Sequence, residues 1–169
     1  MVDTFGFVDP ARVVSIGVSD SKNVVNNLVQ RMQHGKSHRI FLVPYNPSDH
    51  WMLTIINEEK DIVYIVDSLE RQYPEWMETV NNAIKLFNGI TGRHGKKAPR
   101  WINLSGAPKQ VGGGECGYYV MRYMKELIED PMLSFAQKWS RKSKRTSYSQ
   151  EQIDEVRIEW SEFVTRKYL

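Results

Sequence analysis

The only cysteine of the 169-residue sequence, Cys116, follows Gly112, Gly113, Gly114 and Glu115 and leads into an amphipathic stretch, QVGGGECGYYVMRYM at 110–124. The thiolate, not the thiol, is the reactive form of sulfur, and unpaired N–H groups at a helix N-terminus favour the anion. A cysteine on the step from a glycine loop into a helix is therefore a candidate nucleophile. Glycines on that step let the backbone pass close to a ligand. The same thiol also fits the commoner role of a small buried hydrophobe, and on this stretch alone both readings stand. Gly112, Gly114 and Gly117 happen to satisfy G-x-G-x-x-G. A dinucleotide site also needs a strand running straight into the loop and a βαβ setting. Here seven residues separate the apolar run WINL from Gly112, and no lysine-serine or lysine-threonine pair follows the glycines. No cofactor is expected.

A nucleophilic thiol needs a base, and there are four histidines: His34, His38, His50 and His94. His34 falls at a helix end, His38 in the polar stretch HGKSHR and His94 in a basic loop. His50 differs, because it follows Pro47-Ser48-Asp49 and opens a β-rich run with Trp51. A side chain at a strand mouth can face a cleft while the sheet holds its backbone. The base in turn needs a carboxylate that fixes the imidazole tautomer and stabilises the imidazolium. Asp67 closes the run IVYIVDSL, and if that run pairs with 51–57, Asp67 returns to the end where His50 stands. Taken singly, His50 also reads as a turn residue and Asp67 as an ordinary strand end. One cysteine, scattered histidines and no H-E-x-x-H give no metal-ligand spacing, so no metal is expected.

The elements that must position these groups follow from apolar spacing. Residues 20–34 predict a helix on Val24, Leu28 and Met32, with Asp20 as cap and Gly35 as stop. RIFLVPYN reads as a buried strand, and 51–57 with 62–67 read as a hairpin around Glu58-Glu59-Lys60-Asp61. Pro74 opens a second helix carrying Trp76, Val80, Ile84 and Phe87 on one face, and Asn88-Gly89 ends it. Residues 90–100 and SGAPKQVGGGE read as loops on either side of a strand in WINL. From Cys116 a third helix turns Val120, Tyr123 and Leu127 inward and Arg122, Lys125, Glu126 and Glu129 outward. Ser149 and Gln152 make a capping box for a last helix with Ile153, Val156, Trp160 and Phe163 as its apolar stripe. The expected fold class is α+β, helices packed on a small mixed sheet, with residues 1–169 as a single domain.

Composition narrows the function classes. With 41% hydrophobic and 25% charged residues the chain suits a folded domain rather than a disordered one. No apolar run approaches a membrane span, the start MVDTFGFVDP lacks a signal pattern, and one cysteine suits a reducing compartment. The expectation is an intracellular protein with no membrane partner. A net charge of +3 is well short of a dedicated nucleic-acid binder. RKSKR at 141–145 concentrates that charge; it reads as a solvated loop or as a nuclear-import patch, leaving nucleus and cytoplasm both open.

The order His50-Trp51, Asp67-Ser68-Leu69, Gln110, Cys116-Gly117 resembles the ubiquitin-like-protein-specific (SUMO/sentrin) cysteine protease family, whose papain-like, adenain-like fold includes adenovirus protease. HWML at 50–53, Asp67 seventeen residues after His50, Gln110 six before Cys116, and ECGYYV at 115–120 carry the match over about residues 38–130. CGYYVMRYM and the SQEQIDEVR helix are also similar to plant transposon-associated members. The resemblance implies Cys116 as nucleophile, His50 as general base and Asp67 as its orienting partner. It implies Gln110 as an oxyanion donor with the Cys116 N–H, and Trp51, Gly113 and Gly114 lining the channel for a substrate's terminal Gly-Gly. The implied partner is a ubiquitin-like modifier or its conjugates. Two departures stand out: Glu115 replaces the family's aspartate, and no tryptophan precedes Trp51. The second implies an N-terminal lobe that is short, truncated or built from other residues. A catalytically idle binding module and an acyltransferase on the same fold are the alternative functions.

Overall fold

The computed structural model describes residues 4–13, 21–35, 40–93, 98–130, 137, 139 and 147–168. Five strands form one mixed sheet in the order β1-β2-β3-β4-β5. They are β1 (Phe5–Phe7), β2 (Ile40–Tyr45), β3 (Met52–Asn57), β4 (Ile62–Val66) and β5 (Arg100–Asn103). The central pairs β2–β3 and β3–β4 are antiparallel, and the outer strands β1 and β5 run parallel to their neighbours. Among the described residues four long α-helices accompany the sheet in an α+β arrangement: α1 (Ser21–His34), α2 (Pro74–Ile90), α3 (Cys116–Ile128) and α4 (Gln150–Tyr168).

Period-two alternation divides the sheet's side chains between two cores. Phe41, Val43, Met52, Ile56, Val63 and Ile65 face α1 and α2, where Leu28, Met32, Trp76, Val80 and Phe87 meet them. Leu42, Leu53, Ile55, Tyr64 and Val66 face the other way, onto Tyr119, Val120, Tyr123 and Leu127 of α3 and Ile153 of α4. Every residue of β2 and β3 is buried, because a sheet covered on both faces demands continuous apolar runs. One polar residue inside, Thr54, is satisfied by Trp76 Nε1 at 2.8 Å, which ties α2 to the middle of β3. Tyr45 stacks on Trp76 with ring centroids 3.9 Å apart.

Several expectations hold and some are corrected. The hairpin, both its strands and the capping box are present; Ser149 N donates to Gln152 Oε1 and Gln152 N to Ser149 Oγ, at 3.1 and 3.3 Å. The second helix does not stop at Asn88-Gly89: it continues to Ile90, and Gly92, at φ +73°, takes the left-handed turn that ends it. The stripe of α4 divides, with Ile153 and Val156 buried but Trp160 and Phe163 exposed, where they line an open groove with Met121, Met124 and Ile128 of α3. Glu126 is buried rather than outward; Trp139 Nε1 donates to it at 3.0 Å, and Arg122 lies 3.6 Å away. β1 was not expected. Asp20, His38, His94 and the basic run at 141–145 lie outside the described residues. Among the described residues no helix is long and apolar enough to cross a membrane.

Candidate active site

The antiparallel register of β3 and β4 pairs Leu53 with Val66, so the residues just before β3 and just after β4 share one end of the hairpin. His50 and Asp67 stand there. His50 Nε2 lies 2.5 Å from Asp67 Oδ1, with both side chains 2% exposed. A carboxylate only accepts, so Nε2 is the donor in this bond and Nδ1 is the ring nitrogen left outside it. Among the described residues no hydrogen bond occupies Nδ1.

Asp67 is held as firmly as it holds the ring. Oδ1 also accepts from Leu69 N at 2.9 Å, and Oδ2 accepts from Arg71 N at 2.8 Å and Tyr73 Oη at 3.0 Å. The loop closes this cage by folding back on itself: Glu70 takes φ +53° and its N–H donates to Asp67 O at 3.3 Å. A non-glycine residue in the left-handed region is a local cost that the surrounding bonds must offset. Four donors on one carboxylate occupy both of its oxygens and fix its plane.

Cys116 opens α3 and is 7% exposed. Glu115, at the N-cap, makes no side-chain bond to the first turn, so no carboxylate competes for the amides that a helix start leaves unpaired. The two halves of the site meet through their next residues. A Cβ on Gly117 would stand 3.6 Å from Cδ1 of Trp51, so the indole after His50 lies against the first turn after Cys116.

The loop before Cys116 is anchored at its base. Leu104 N donates to Ile65 O at 2.9 Å, and the Tyr123 hydroxyl of α3 donates to the Pro108 carbonyl. Lys109 Nζ reaches Glu70 Oε2 at 2.8 Å. Gln110 Oε1 accepts from Ser68 Oγ at 2.7 Å, and its Nε2 donates to Gly112 O at 2.9 Å. Gly112, Gly113 and Gly114 are exposed, and a Cβ at any of them would meet nothing within 4 Å. Only Gly114, at φ +90°, needs glycine for its backbone.

Of the expected residues, the structure bonds His50 to Asp67 at the hairpin end; Gln110 on the loop is tied to that end through Ser68, and Cys116 at the helix mouth adjoins it through Gly117 against Trp51. His34 is elsewhere, exposed, with Nδ1 2.6 Å from Gln30 O. Among the described residues no group of three or more His, Cys, Asp or Glu side chains could hold a metal ion.

Two contributors escaped the sequence reading. Ser68 lay within the motif, but nothing in its type announced a bond to a residue 42 positions on. Tyr73 looked like a residue ahead of a helix-opening proline, yet its hydroxyl meets Asp67. Burial first, and then the Asp67 charge, raise the Tyr73 phenol above its ordinary value, which keeps it a donor. Tyr73→Phe is expected to lower the unfolding free energy by about 1.5–3 kcal/mol, the range for a hydrogen bond to a charged group. A urea midpoint equal to that of the parent protein would show the hydroxyl to be idle.

Comparison with known proteins extends this picture. No curated protein shows significant sequence similarity to the chain. Among solved structures, the C-terminal Ulp1 protease domain in complex with Smt3, the yeast orthologue of SUMO, superposes with a TM-score of 0.53 at 16% identity. That match covers 80% of this chain and 65% of the other, so the chain spans somewhat under two thirds of the Ulp1 domain's length. The Xanthomonas campestris effector XopD, bound to ubiquitin, gives 0.55 at 17% identity, covering 91% and 77%. A de-sumoylating protease gives 0.60 at 12% identity, covering 98% and 75%. At such identities these likenesses establish the fold, an Ulp1-like cysteine protease fold; they lend nothing to the likeness to plant transposon-associated members. The sequence supplies the family, because residues 19–163 match the profile described as "Ulp1 protease family, C-terminal catalytic domain". A match over most of the length, on a fold that gathers His50 with Asp67 and sets Trp51 against the helix begun by Cys116, places the chain in the Ulp1 protease family.

Proposed function

We propose that this protein is a cysteine peptidase or isopeptidase that cleaves after the C-terminal glycine of a ubiquitin-like modifier. The observation that carries the reading is the buried His50–Asp67 pair, 2.5 Å apart, at a hairpin end whose Trp51 packs on the turn following Cys116. With Nε2 committed to Asp67, Nδ1 is the atom that takes the Cys116 proton. The thiolate then attacks the scissile carbonyl carbon, and the electron pair of the C=O moves onto oxygen. The Cys116 N–H and the second N–H of the Gln110 amide are the donors for that oxyanion. On collapse, the imidazolium gives its proton to the departing amine and an acyl-thioester remains. Water, deprotonated by His50, attacks the thioester, and the free carboxylate leaves as the thiol is reprotonated.

The substrate class rests on different support. Gly113 and Gly114 are exposed with open space about them, three and two residues before Cys116, and a loop without side chains suits a glycine-ended chain lying in an extended form. Two structures of the same fold hold Smt3 and ubiquitin. The test is a panel of SUMO, ubiquitin and NEDD8 carrying a C-terminal electrophile. At least one is expected to form a covalent adduct at Cys116, detected as a mass shift on the intact protein. A thiol that reacts with iodoacetamide yet with none of the three would overturn the substrate class.

A further inference from the structure

We propose that Ser68 is a positioning residue that sets the oxyanion donor by locking the Gln110 side-chain amide; the inference rests on the peptidase reading above. A primary amide has one accepting end and one donating end, and nothing in its shape distinguishes them. Two contacts do so here. The Gly112 carbonyl oxygen, 2.9 Å from the amide nitrogen, can only accept, so –NH2 must face it. The hydroxyl of Ser68, 2.7 Å from the amide oxygen, must then donate. Together they fix the plane of the amide and use one of its two N–H bonds. The second N–H has no partner among the described residues.

The rigidity behind this contact comes from the carboxylate cage. Ser68 is 3% exposed and sits between Asp67 and Leu69, whose N–H is bonded to Asp67 Oδ1. The loop that orients the imidazole therefore also orients the oxyanion donor, across 42 residues of sequence. Lys109–Glu70, at 2.8 Å, clasps the same two loops, one residue before Gln110 and two after Ser68. Without the hydroxyl, the amide keeps only its Gly112 contact and is free to turn about its last torsions, since the loop from Val111 to Gly114 is exposed.

Acyl transfer and alkylation separate this role from a general structural one. Alkylation by iodoacetamide forms no oxyanion, whereas hydrolysis of a modifier–coumarin amide forms one twice. Ser68→Ala is expected to lower kcat roughly tenfold, a fraction of the effect of losing an oxyanion donor outright, with KM and the alkylation rate unchanged. In a Gln110→Ala background the same substitution is expected to cost nothing further, and Ser68→Thr, which restores a hydroxyl, is expected to recover most of the rate. In a ¹⁵N–¹H spectrum the two Gln110 side-chain N–H signals are expected to be distinct in the parent and to shift towards free-amide positions in Ser68→Ala. That spectrum needs no substrate, so it judges the lock even if no modifier is cleaved. Unmoved amide signals, an equal slowing of alkylation, or a full additional loss in the Gln110→Ala background would each overturn the proposal.

Discussion

Cys116→Ala leaves the protein folded and removes its hydrolysis of modifier–coumarin substrates, a loss of at least about 10⁴-fold by comparison with nucleophile deletions in other covalent enzymes. The fold is expected to survive because Cys116 stands at the first position of α3, while α3 is held by Tyr119, Val120, Tyr123 and Leu127. Replacing one sulfur by hydrogen at such a position is expected to shift stability by no more than about 1 kcal/mol. The backbone N–H of residue 116, the Gln110 amide and the His50–Asp67 pair all remain. The variant therefore isolates the covalent step from binding and oxyanion stabilisation. Because the sequence contains a single cysteine, labelling is unambiguous: iodoacetamide adds one carbamidomethyl group to the parent and none to the variant. Hydrolysis that persists in a variant with an unchanged thermal midpoint would remove the thiol from the reaction.

How far the sequence discloses this site depends on how local each contact is. His50 and Asp67 could be brought together on paper because one hairpin joins them. A four-residue turn and two apolar runs set the register, and the register sets which ends coincide. The helix beginning at Cys116 was equally readable, since Val120, Tyr123 and Leu127 recur at helical spacing. Contacts between loops leave no such trace. Ser68–Gln110 and Lys109–Glu70 exist because β4 and β5 are parallel neighbours, which delivers the loops that follow them to one side of the sheet. Periodicity says nothing of that adjacency. Tyr73 depends on the left-handed turn at Glu70, a conformation that its residue type does not announce. Glu126 failed for another reason: helical spacing assigns a charged residue to the solvent face unless a buried partner is known. Trp139, its partner, comes from a separate stretch of chain. Gln110 was reached through the motif alone, since nothing in its own surroundings in sequence marks an amide as a donor to an oxyanion.

His50→Ala should be nearly as damaging as loss of the thiol, and its signature is different. The ring is 2% exposed, so its removal leaves a small cavity beside a buried carboxylate. That carboxylate still receives Leu69 N, Arg71 N and Tyr73 Oη, and the cage rather than the imidazole keeps it satisfied. The protein is therefore expected to fold, at a cost of about 1–3 kcal/mol. Chemistry suffers at two points. No group takes the Cys116 proton, so at neutral pH the sulfur must ionise to water, and no imidazolium protonates the departing amine. Loss of one general acid–base typically costs about 10²–10⁴-fold; serving both half-steps, His50 is expected to lie at the upper end. Alkylation reads the first point alone. In the parent, iodoacetamide is expected to react readily at neutral pH; in the variant the rate falls there, because the thiolate is the reactive form and no imidazole takes the proton. Added imidazole, small enough to enter the cavity, is expected to restore part of the hydrolysis. Equal alkylation rates at neutral pH in parent and variant would break the pairing of sulfur with imidazole. Slow alkylation with undiminished hydrolysis is not available to any mechanism in which the Cys116 thiolate attacks the substrate.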